Sequence, residues 1–270
     1  VHVRRSTHSP ADIGHTALAV NLSDVAAMGA IPVAALVGLG VPPDLSVDDV
    51  DAMYGAMEAL AALHDMSVVG GDVSMSPVLA LSVAIVGRMP AGVPPVLRSG
   101  GKAGDHLVVS GPLGASAAGL ALLRDPVLAT GVAEAGALEQ AHRRPEPRVY
   151  DGQHLAEAGA TAMLDISDGL LLDADRLARA SGLRAEVDLG CVPLAPGVAR
   201  VATATGQDPA LFAATGGEDY HLLAAIPPST GMEPHLTVVG RLMHGQPGVA
   251  AVRDGVDVTP ARLGWEHRRP

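Results

Sequence analysis

Aromatic residues and cysteine are scarce in this sequence. Aromatic side chains make up 2% of the 270 residues and hydrophobic residues 48%, so we expect cores built from Ala, Val, Leu and Met. Cys191 is the single cysteine of the chain. An intrachain disulfide and a cysteine-rich zinc site are therefore excluded.

Positive charge is also scarce, and long apolar runs are missing. The chain has 18 basic against 29 acidic residues, a net charge of −11, which disfavours nucleic acid or an anionic membrane as a partner. No run of about 18 apolar residues is present, as a membrane-spanning helix requires, and no charged-then-apolar leader opens the chain. We expect a packed, cytoplasmic protein that binds neither nucleic acid nor membranes.

Two common nucleotide-binding signatures are absent. Neither Gly-x-Gly-x-x-Gly nor Gly-x-x-x-x-Gly-Lys-[Ser/Thr] occurs, so any bound ATP needs a different phosphate cradle. Alternating apolar runs and helical patterns predict an α/β or α+β fold and not a sandwich. A Pro- and Gly-rich stretch at residues 90–104 predicts a boundary between two domains, which we place at 1–97 and 98–270.

The stretch Asp-Ile-Ser-Asp-Gly-Leu at residues 165–170 is the strongest candidate site. An apolar run that predicts a strand precedes it and a helical pattern follows it, so Asp165 and Asp168 lie where a strand meets a helix. The N–H groups at a helix start bind anions, and two carboxylates suit a divalent cation. The alternative is that Ser167 or Asp168 only caps the helix. The residues alone do not decide between a cation site and a helix cap.

A second candidate is Asp24, in the helix predicted for residues 9–29. Ser9 suits the N-cap of this helix and Pro10 its first turn. Asp24 falls on the same helical stripe as Ile13, so we expect a buried carboxylate that needs a partner. A metal or ligand is one such partner, and backbone donors or a nearby Arg are the alternative.

Glycines accompany charged residues at three further places. Gly70-Gly71-Asp72 ends a predicted strand, and Gly-Gly-Glu-Asp-Tyr at 216–220 precedes another. Such glycines allow the backbone to approach a bulky anion, although ordinary turns look the same. Arg98 beside glycines can reach phosphate oxygens, or can simply be solvated in the linker.

Two aromatic residues are candidates for ligand contact. Tyr54 lies on a helix predicted after Ser46, where packing in the core is favoured over stacking on a ligand. Trp265, the only tryptophan, lies in a polar tail, which favours a ligand or an interface. We expect several other polar residues to face solvent: His64, His154, His244, Asp173 and Asp175.

Taken together, five blocks of the sequence resemble the thiamine-monophosphate kinase family. In chain order they are Asn-Leu-Ser-Asp-Val-Ala-Ala-Met-Gly-Ala (21–30), Gly-Gly-Asp (70–72), Arg-Ser-Gly (98–100), Asp-Ile-Ser-Asp-Gly-Leu (165–170) and Gly-Gly-Glu-Asp-Tyr (216–220). The ten- and six-residue blocks are specific to that family, and the short ones matter because they occur in order. The resemblance implies the two-domain fold of aminoimidazole ribonucleotide synthetase, with an N-terminal domain that pairs with a second subunit in a homodimer.

The resemblance also implies a reaction and its residues. The reaction is Mg²⁺-dependent, in-line transfer of the γ-phosphoryl of ATP to thiamine monophosphate, giving thiamine diphosphate and ADP. Phosphoryl transfer needs positioning and charge neutralisation more than a general base. Matching positions imply several Mg²⁺ ions on Asp24, Asp72, Asp165 and Asp168, nucleotide contacts from Tyr54, Gly71, Asp72, Arg98 and Ser167, and thiamine monophosphate contacts from His2, Glu218 and Trp265.

One departure from the family pattern bears on activity. Family members carry a Gly-Asp-Asp segment and a Thr-Asp pair upstream of the matched region, whereas the sequence here begins at Val1. We therefore expect an N-terminal domain that lacks its first segment and has incomplete Mg²⁺ sites. The alternatives to an active kinase are a non-catalytic homologue that binds ligand or forms oligomers, and another synthetase of the same fold.

Overall fold

The computed structural model describes residues 3–231 and 234–266. Within these ranges the helices are α1 (Pro10–Ala27), α2 (Val47–Ala62), α3 (Ala115–Arg124), α4 (Ala135–Arg143), α5 (Val149–Glu157), α6 (Leu170–Ala180), α7 (Val198–Ala204) and α8 (Pro209–Thr215). The strands are β1 (Ile31–Val41), β2 (Ser67–Met75), β3 (Ala80–Arg88), β4 (His106–Val109), β5 (Ala162–Asp165), β6 (Arg184–Asp188), β7 (Leu222–Ile226), β8 (Thr237–Met243), β9 (Gly248–Arg253) and β10 (Val256–Asp257).

Helices α1 and α2 begin where the sequence predicts. Ser9 and Ser46 each accept a hydrogen bond from the backbone N–H three residues later, and the carboxylates of Asp12 and Asp49 accept from the serine N–H groups in return. This capping box satisfies backbone donors that have no partner inside the helix. Both predicted helix starts are confirmed.

The first sheet has three strands in the order β2-β1-β3. Strand β1 runs parallel to β2 and antiparallel to β3, which places Gly38 opposite Asp72. Because side chains alternate between the two faces of a strand, Val37 is buried against α1 and α2 while Leu36 is 48% exposed. Asp72 shares the open face with Leu36 and with Val86, which is 61% exposed.

The second sheet has seven strands in the order β10-β9-β6-β8-β4-β7-β5. The β6–β9 pair is parallel, and the other neighbours are antiparallel. The two faces are covered by different helices, as β4 illustrates. Leu107 and Val109 pack in a core with α3, α6, α7 and α8, whereas Val108 packs on the opposite side with α1 and α5.

Helix α1 belongs to both halves of the molecule. Its Leu18 and Leu22 are fully buried in a core that also contains Val37 of the first sheet and Met163 of the second. The end of α1 therefore lies beside the end of β5, the strand that leads into the Asp-Ile-Ser-Asp-Gly-Leu stretch.

The segment between β3 and β4 connects the two halves without forming a helix or strand. It is nevertheless bonded to its surroundings. Val96 donates its N–H to the carbonyl of Met28 at 3.1 Å, and the carbonyl of Leu97 accepts from the N–H of Met163 at 3.0 Å. The connection therefore lies flat against the ends of α1 and β5.

Most of the predicted elements are present, and the shortest ones escaped prediction. Helix α8, capped by Asp208, has seven residues, too few for a periodic pattern to be recognised. Strand β10 has two residues. Among the described residues, no helix is both long and apolar enough to cross a membrane.

Candidate functional site

A cleft of about 400 Å³ lies where the end of α1, the segment after β3 and the end of β5 meet. Asp24, Arg98 and Asp165 line it, and its walls include the apolar residues Met28 and Leu164. The fold thus brings together three charged residues that are far apart in the sequence.

Asp165 is the most deeply buried carboxylate of the cleft, with 8% of its surface exposed. Its Oδ2 accepts a hydrogen bond from the Ser23 hydroxyl at 2.8 Å. Burial raises the pKa of Asp165 to about 6; the Ser23 bond opposes this shift, the charge of Asp24 adds to it, and Arg98 opposes it. Two neighbouring carboxylates favour a divalent cation, and the nearby Arg98 offers a positive charge to an anion.

Asp24 lies at the mouth of the cleft and not in the core, so the prediction of a buried Asp24 is wrong. The side of α1 that faces the core carries Leu18, Leu22 and Ala26, and Asp24 lies at its exposed edge. Partial desolvation raises the pKa of Asp24, and Arg98 lowers it. Arg98 therefore partly balances the negative charge of Asp24, as in the alternative in which a nearby arginine is the partner of this carboxylate.

The loop at residues 167–169 is held by a carboxylate that follows it. Asp173 Oδ2 accepts the backbone N–H groups of Ser167, Asp168 and Gly169 at 3.1, 3.0 and 3.2 Å. Neither Ser167 nor Asp168 caps α6, because Gly169 occupies the N-cap. The prediction that Asp173 faces solvent is wrong, since this residue is 2% exposed. The backbone N–H groups at the start of the helix need a hydrogen-bond acceptor, and the Asp173 carboxylate is that acceptor.

Burial raises the pKa of Asp173 to about 7, and these backbone donors and Arg176 oppose the shift. Asp175 is partly buried as well, because Val249 N–H donates to its Oδ1 at 3.2 Å. Arg176 contacts both the loop and the carboxylate that holds it. Its Nη2 lies 2.7 Å from Asp168 Oδ2, and its Nη1 lies 2.7 Å from Asp173 Oδ1.

The Gly-Gly-Glu-Asp-Tyr segment lies directly beside this loop. Glu218 N–H donates to Ser167 O at 2.8 Å, and Tyr220 N–H donates to Ile166 O at 3.0 Å. Glu218 and Tyr220 have φ angles of 65° and 54°, values that are uncommon outside glycine and that cluster at functional sites. Asp219 accepts backbone N–H groups at the start of α3, which gives it a structural role.

Glu218 approaches a histidine from α4. Its Oε2 lies 3.4 Å from His142 Nδ1, which is also 2.9 Å from the hydroxyl of Ser116. Burial lowers the pKa of His142, and the Glu218 charge opposes the shift. The neutral imidazole can therefore orient the carboxylate without cancelling its charge.

Trp265 is anchored to the same loop by its backbone. Its N–H donates to Asp168 O at 2.8 Å, and the indole is 51% exposed. Arg262 lies over the ring at 5.5 Å from its centroid and donates to Gly264 O at 2.9 Å. The exposed ring face is available to a flat cationic group.

Some predicted residues lie elsewhere. Asp72 and Gly71 are on the exposed β2, and Asp72 accepts a hydrogen bond from Ser74. Tyr54 is partly buried against the N-terminal core, in keeping with the core alternative. His2 lies outside the described residues.

We tested the carboxylates for a metal site. Among the described residues, no three His, Cys, Asp or Glu side chains are grouped as metal ligands. The Asp24 and Asp165 pair nevertheless fits Mg²⁺, which is often held by one or two carboxylates together with water and substrate phosphates.

Sequence reasoning missed four residues that shape the site: Ser23, His142, Asp173 and Arg176. Ser23 carried a signal, since it lies inside the Asn-Leu-Ser-Asp block next to Asp24. Asp173 and Arg176 could have been found by asking which acceptor serves the backbone donors at the start of α6.

Comparison with known proteins decides the family. Residues 1–89 match the family described as AIR synthase related protein, N-terminal domain, and residues 102–229 match AIR synthase related protein, C-terminal domain. Thiamine-monophosphate kinase of Salmonella typhimurium is 38% identical over 96% of this chain and 80% of that protein. The enzyme of Aquifex aeolicus is 38% identical over 99% and 84%. The chain belongs to the thiamine-monophosphate kinase family.

Solved structures agree with this assignment. The crystal structure of thiamine monophosphate kinase from Aquifex aeolicus superimposes with a TM-score of 0.85 at 36% identity, over 96% of this chain and 85% of that one. A relative complexed with AMPPCP and TMP gives 0.85 at 35% identity, over 97% and 82%. A hydrogenase maturation protein with ATP, at 17% identity and a TM-score of 0.74 over 95% and 79%, shares the fold alone. The predicted family, fold class and enzyme class are confirmed.

Proposed function

We propose that this chain phosphorylates thiamine monophosphate to thiamine diphosphate, with ATP as donor and Mg²⁺ as cofactor. The observation that carries the proposal is the cleft in which Asp24, Arg98 and Asp165 converge beside the loop at 167–169. A relative in the same family, 35% identical, was solved with AMPPCP and TMP, which supports ATP and thiamine monophosphate as the two substrates.

The proposed division of roles follows charge. Asp24 and Asp165 would hold Mg²⁺ at the cleft, and Asp168 and Asp72 are proposed as further ligands from the resemblance to the family alone. The cation, when bound, would neutralise phosphate charge. Arg98, Ser167, Gly71, Asp72 and Tyr54 contact the nucleotide. The N–H groups of residues 167–169 stay engaged with Asp173, so the cationic side chain of Arg98 is the group that reaches phosphate oxygens.

Substrate recognition is proposed on the other side of the loop. Glu218 attracts the cationic thiamine rings, Trp265 stacks on one of them, and His2 contributes a further contact. Because Glu218 bonds to Ser167 and Trp265 bonds to Asp168 through the backbone, both substrate residues are fixed to the metal loop. This arrangement favours direct in-line transfer, with positioning as the main source of rate.

We propose further that the chain works as a homodimer in the cytoplasm, with domains that divide within the segment between β3 and β4. The support for a dimer is the open face of the first sheet. Leu36 and Val86 are exposed there, and large apolar side chains exposed together on one face are typical of an interface.

The experiment that tests the proposed function measures ADP release from ATP, Mg²⁺ and thiamine monophosphate by the 270-residue chain. We expect turnover that requires all three components and that is lost in Asp24→Asn. Asp51→Asn, an exposed carboxylate of α2, is the matched control and should leave turnover unchanged. Calorimetry that shows binding of both substrates without turnover would instead support a non-catalytic homologue.

A further inference from the structure

Arg176 on α6 bridges two carboxylates of very different exposure. The Asp173 side chain is 2% exposed, that of Asp168 is 18% exposed, and the guanidinium contacts each at 2.7 Å. Asp173 is itself fixed by three backbone donors. The guanidinium is thus anchored on a buried carboxylate that has several backbone partners, and it extends to the partly exposed carboxylate of Asp168.

The backbone of Asp168 is held without Arg176. Its N–H donates to Asp173 Oδ2 at 3.0 Å, and its carbonyl accepts from Trp265 N–H at 2.8 Å. Both peptide groups of this residue are therefore fixed by other partners. Arg176 therefore supplies Asp168 only with a positively charged partner at one carboxylate oxygen.

We propose that Arg176 is a built-in counter-ion that competes with the divalent cation for Asp168 and so weakens cation binding to the free chain. The inference rests on the proposed function only in taking Asp168 as a metal ligand. Arg176 contacts Oδ2 of Asp168, and a divalent cation on the same carboxylate is repelled by this guanidinium. Cation binding is therefore weakened unless the guanidinium is displaced. Asp173 keeps Arg176 in place after the displacement, which makes the exchange reversible.

The test measures Mn²⁺ binding, as an EPR-visible substitute for Mg²⁺, to the whole chain at low salt without nucleotide. We expect Arg176→Gln to bind Mn²⁺ about fivefold more tightly than wild type, the size expected for loss of one partly exposed ion pair. Raising the salt concentration should reduce this difference, because screening weakens the pair in wild type. Unchanged or weaker binding by Arg176→Gln would overturn the proposal.

Arg179→Gln is the matched control. Arg179 lies one turn further along α6, pairs with Asp175 at 2.6 Å and is 63% exposed. Its removal takes the same charge from the same helix, and the Mn²⁺ affinity should stay within about twofold of wild type because the site is screened and more distant. An equal gain in both variants would show a general charge effect and would also overturn the proposal.

Two further variants keep the inference testable if Arg176→Gln folds poorly. Arg176→Lys keeps the charge but cannot bridge both carboxylates with a planar fork, so its affinity should lie between wild type and the glutamine variant. In an Asp168→Asn background, Arg176→Gln should give no gain, and a persisting gain would place the effect elsewhere. Mn²⁺ binding that follows these expectations in a chain without kinase activity would refute the proposed function and leave this inference intact.

Discussion

The Ser23 hydroxyl donates to Asp165 Oδ2 at 2.8 Å and so joins α1 to the end of β5. Both residues are buried. The bond links two residues 142 positions apart in the chain and orients the carboxylate that faces the cleft.

Asp165→Asn should abolish ATP turnover and stabilise the metal-free chain. The pKa of Asp165 is raised to about 6, so the folded chain favours the protonated form. This stabilising contribution is complete below about pH 4 and is lost as the pH rises through about 6. At pH 7 the variant should gain about 1–3 kcal/mol in the free energy of unfolding, measured with urea.

The control for that variant is Asp51→Asn, which changes an exposed carboxylate of α2. It should alter neither turnover nor the pH dependence of unfolding. An Asp165→Asn variant that keeps wild-type turnover would remove Asp165 from the site.

Ser23→Ala should shift the acid limb of the pH–rate profile upward. The hydroxyl stabilises the ionised form of Asp165 and lowers its pKa, so its loss leaves less carboxylate at a given pH. We expect a shift of about one pH unit, since a hydrogen bond to a charged group contributes about 1.5 kcal/mol. The measurement is turnover against pH at a Mg²⁺ concentration well below saturation, where protons and the cation compete for Asp165. The exposed Ser229→Ala is the control, and equal profiles for the two variants would contradict the role of Ser23.

Gly264→Ala should weaken thiamine monophosphate binding. A Cβ at this position would lie 2.2 Å from Asp168 O and 2.8 Å from Leu172 Cβ, so the tail has to lift and the indole of Trp265 has to move. We expect KM for thiamine monophosphate to rise roughly tenfold, as a small misplacement can cost that much, with little change in KM for ATP.

The comparison for that variant is Gly136→Ala in α4, where the added methyl group meets open space. It should leave both KM values unchanged. Trp265→Ala should reproduce the Gly264→Ala effect, and a rise in KM for ATP alone would show that the tail serves the nucleotide.

Leu36→Lys should dissociate the proposed dimer. Leu36 is 48% exposed in the central strand of the first sheet, and a lysine there places a positive charge among the exposed apolar side chains of the open face. Sedimentation velocity should show a dimer for wild type and a monomer for the variant. Val256→Lys, at an exposed position of the other sheet, should stay dimeric, and a monomeric wild type would refute the dimer itself.

Local signals in the sequence predicted the elements well. Capping residues such as Ser9 and Ser46 act on the backbone beside them, so the starts of α1 and α2 could be placed without knowledge of the fold. The strand-to-helix turn at Asp165 was likewise predicted from its apolar flanks. Helix α8 was missed because its seven residues give too short a pattern.

Side-chain environments were harder to predict than elements. Asp24 and Ile13 share a helical stripe, yet Asp24 is exposed because α1 ends at the edge of the cleft. The sequence pattern predicts that Asp173 faces solvent. In the structure it is buried because three backbone N–H groups donate to it. The donors to Asp173 lie only four to six residues before it, so counting local backbone donors could have found them. The position of Asp24 at the cleft is set by tertiary contacts, which periodicity does not encode.

The segment between β3 and β4 is bonded to the ends of α1 and β5 and carries Arg98 into the cleft. A connection of this kind cannot act as a free hinge, because bending it would break the contacts that form one wall of the site. This wall of the cleft is therefore held in place by backbone hydrogen bonds. Because the backbone of Trp265 is also bonded to Asp168, the groups left to adjust to a ligand are side chains, such as the exposed indole of Trp265.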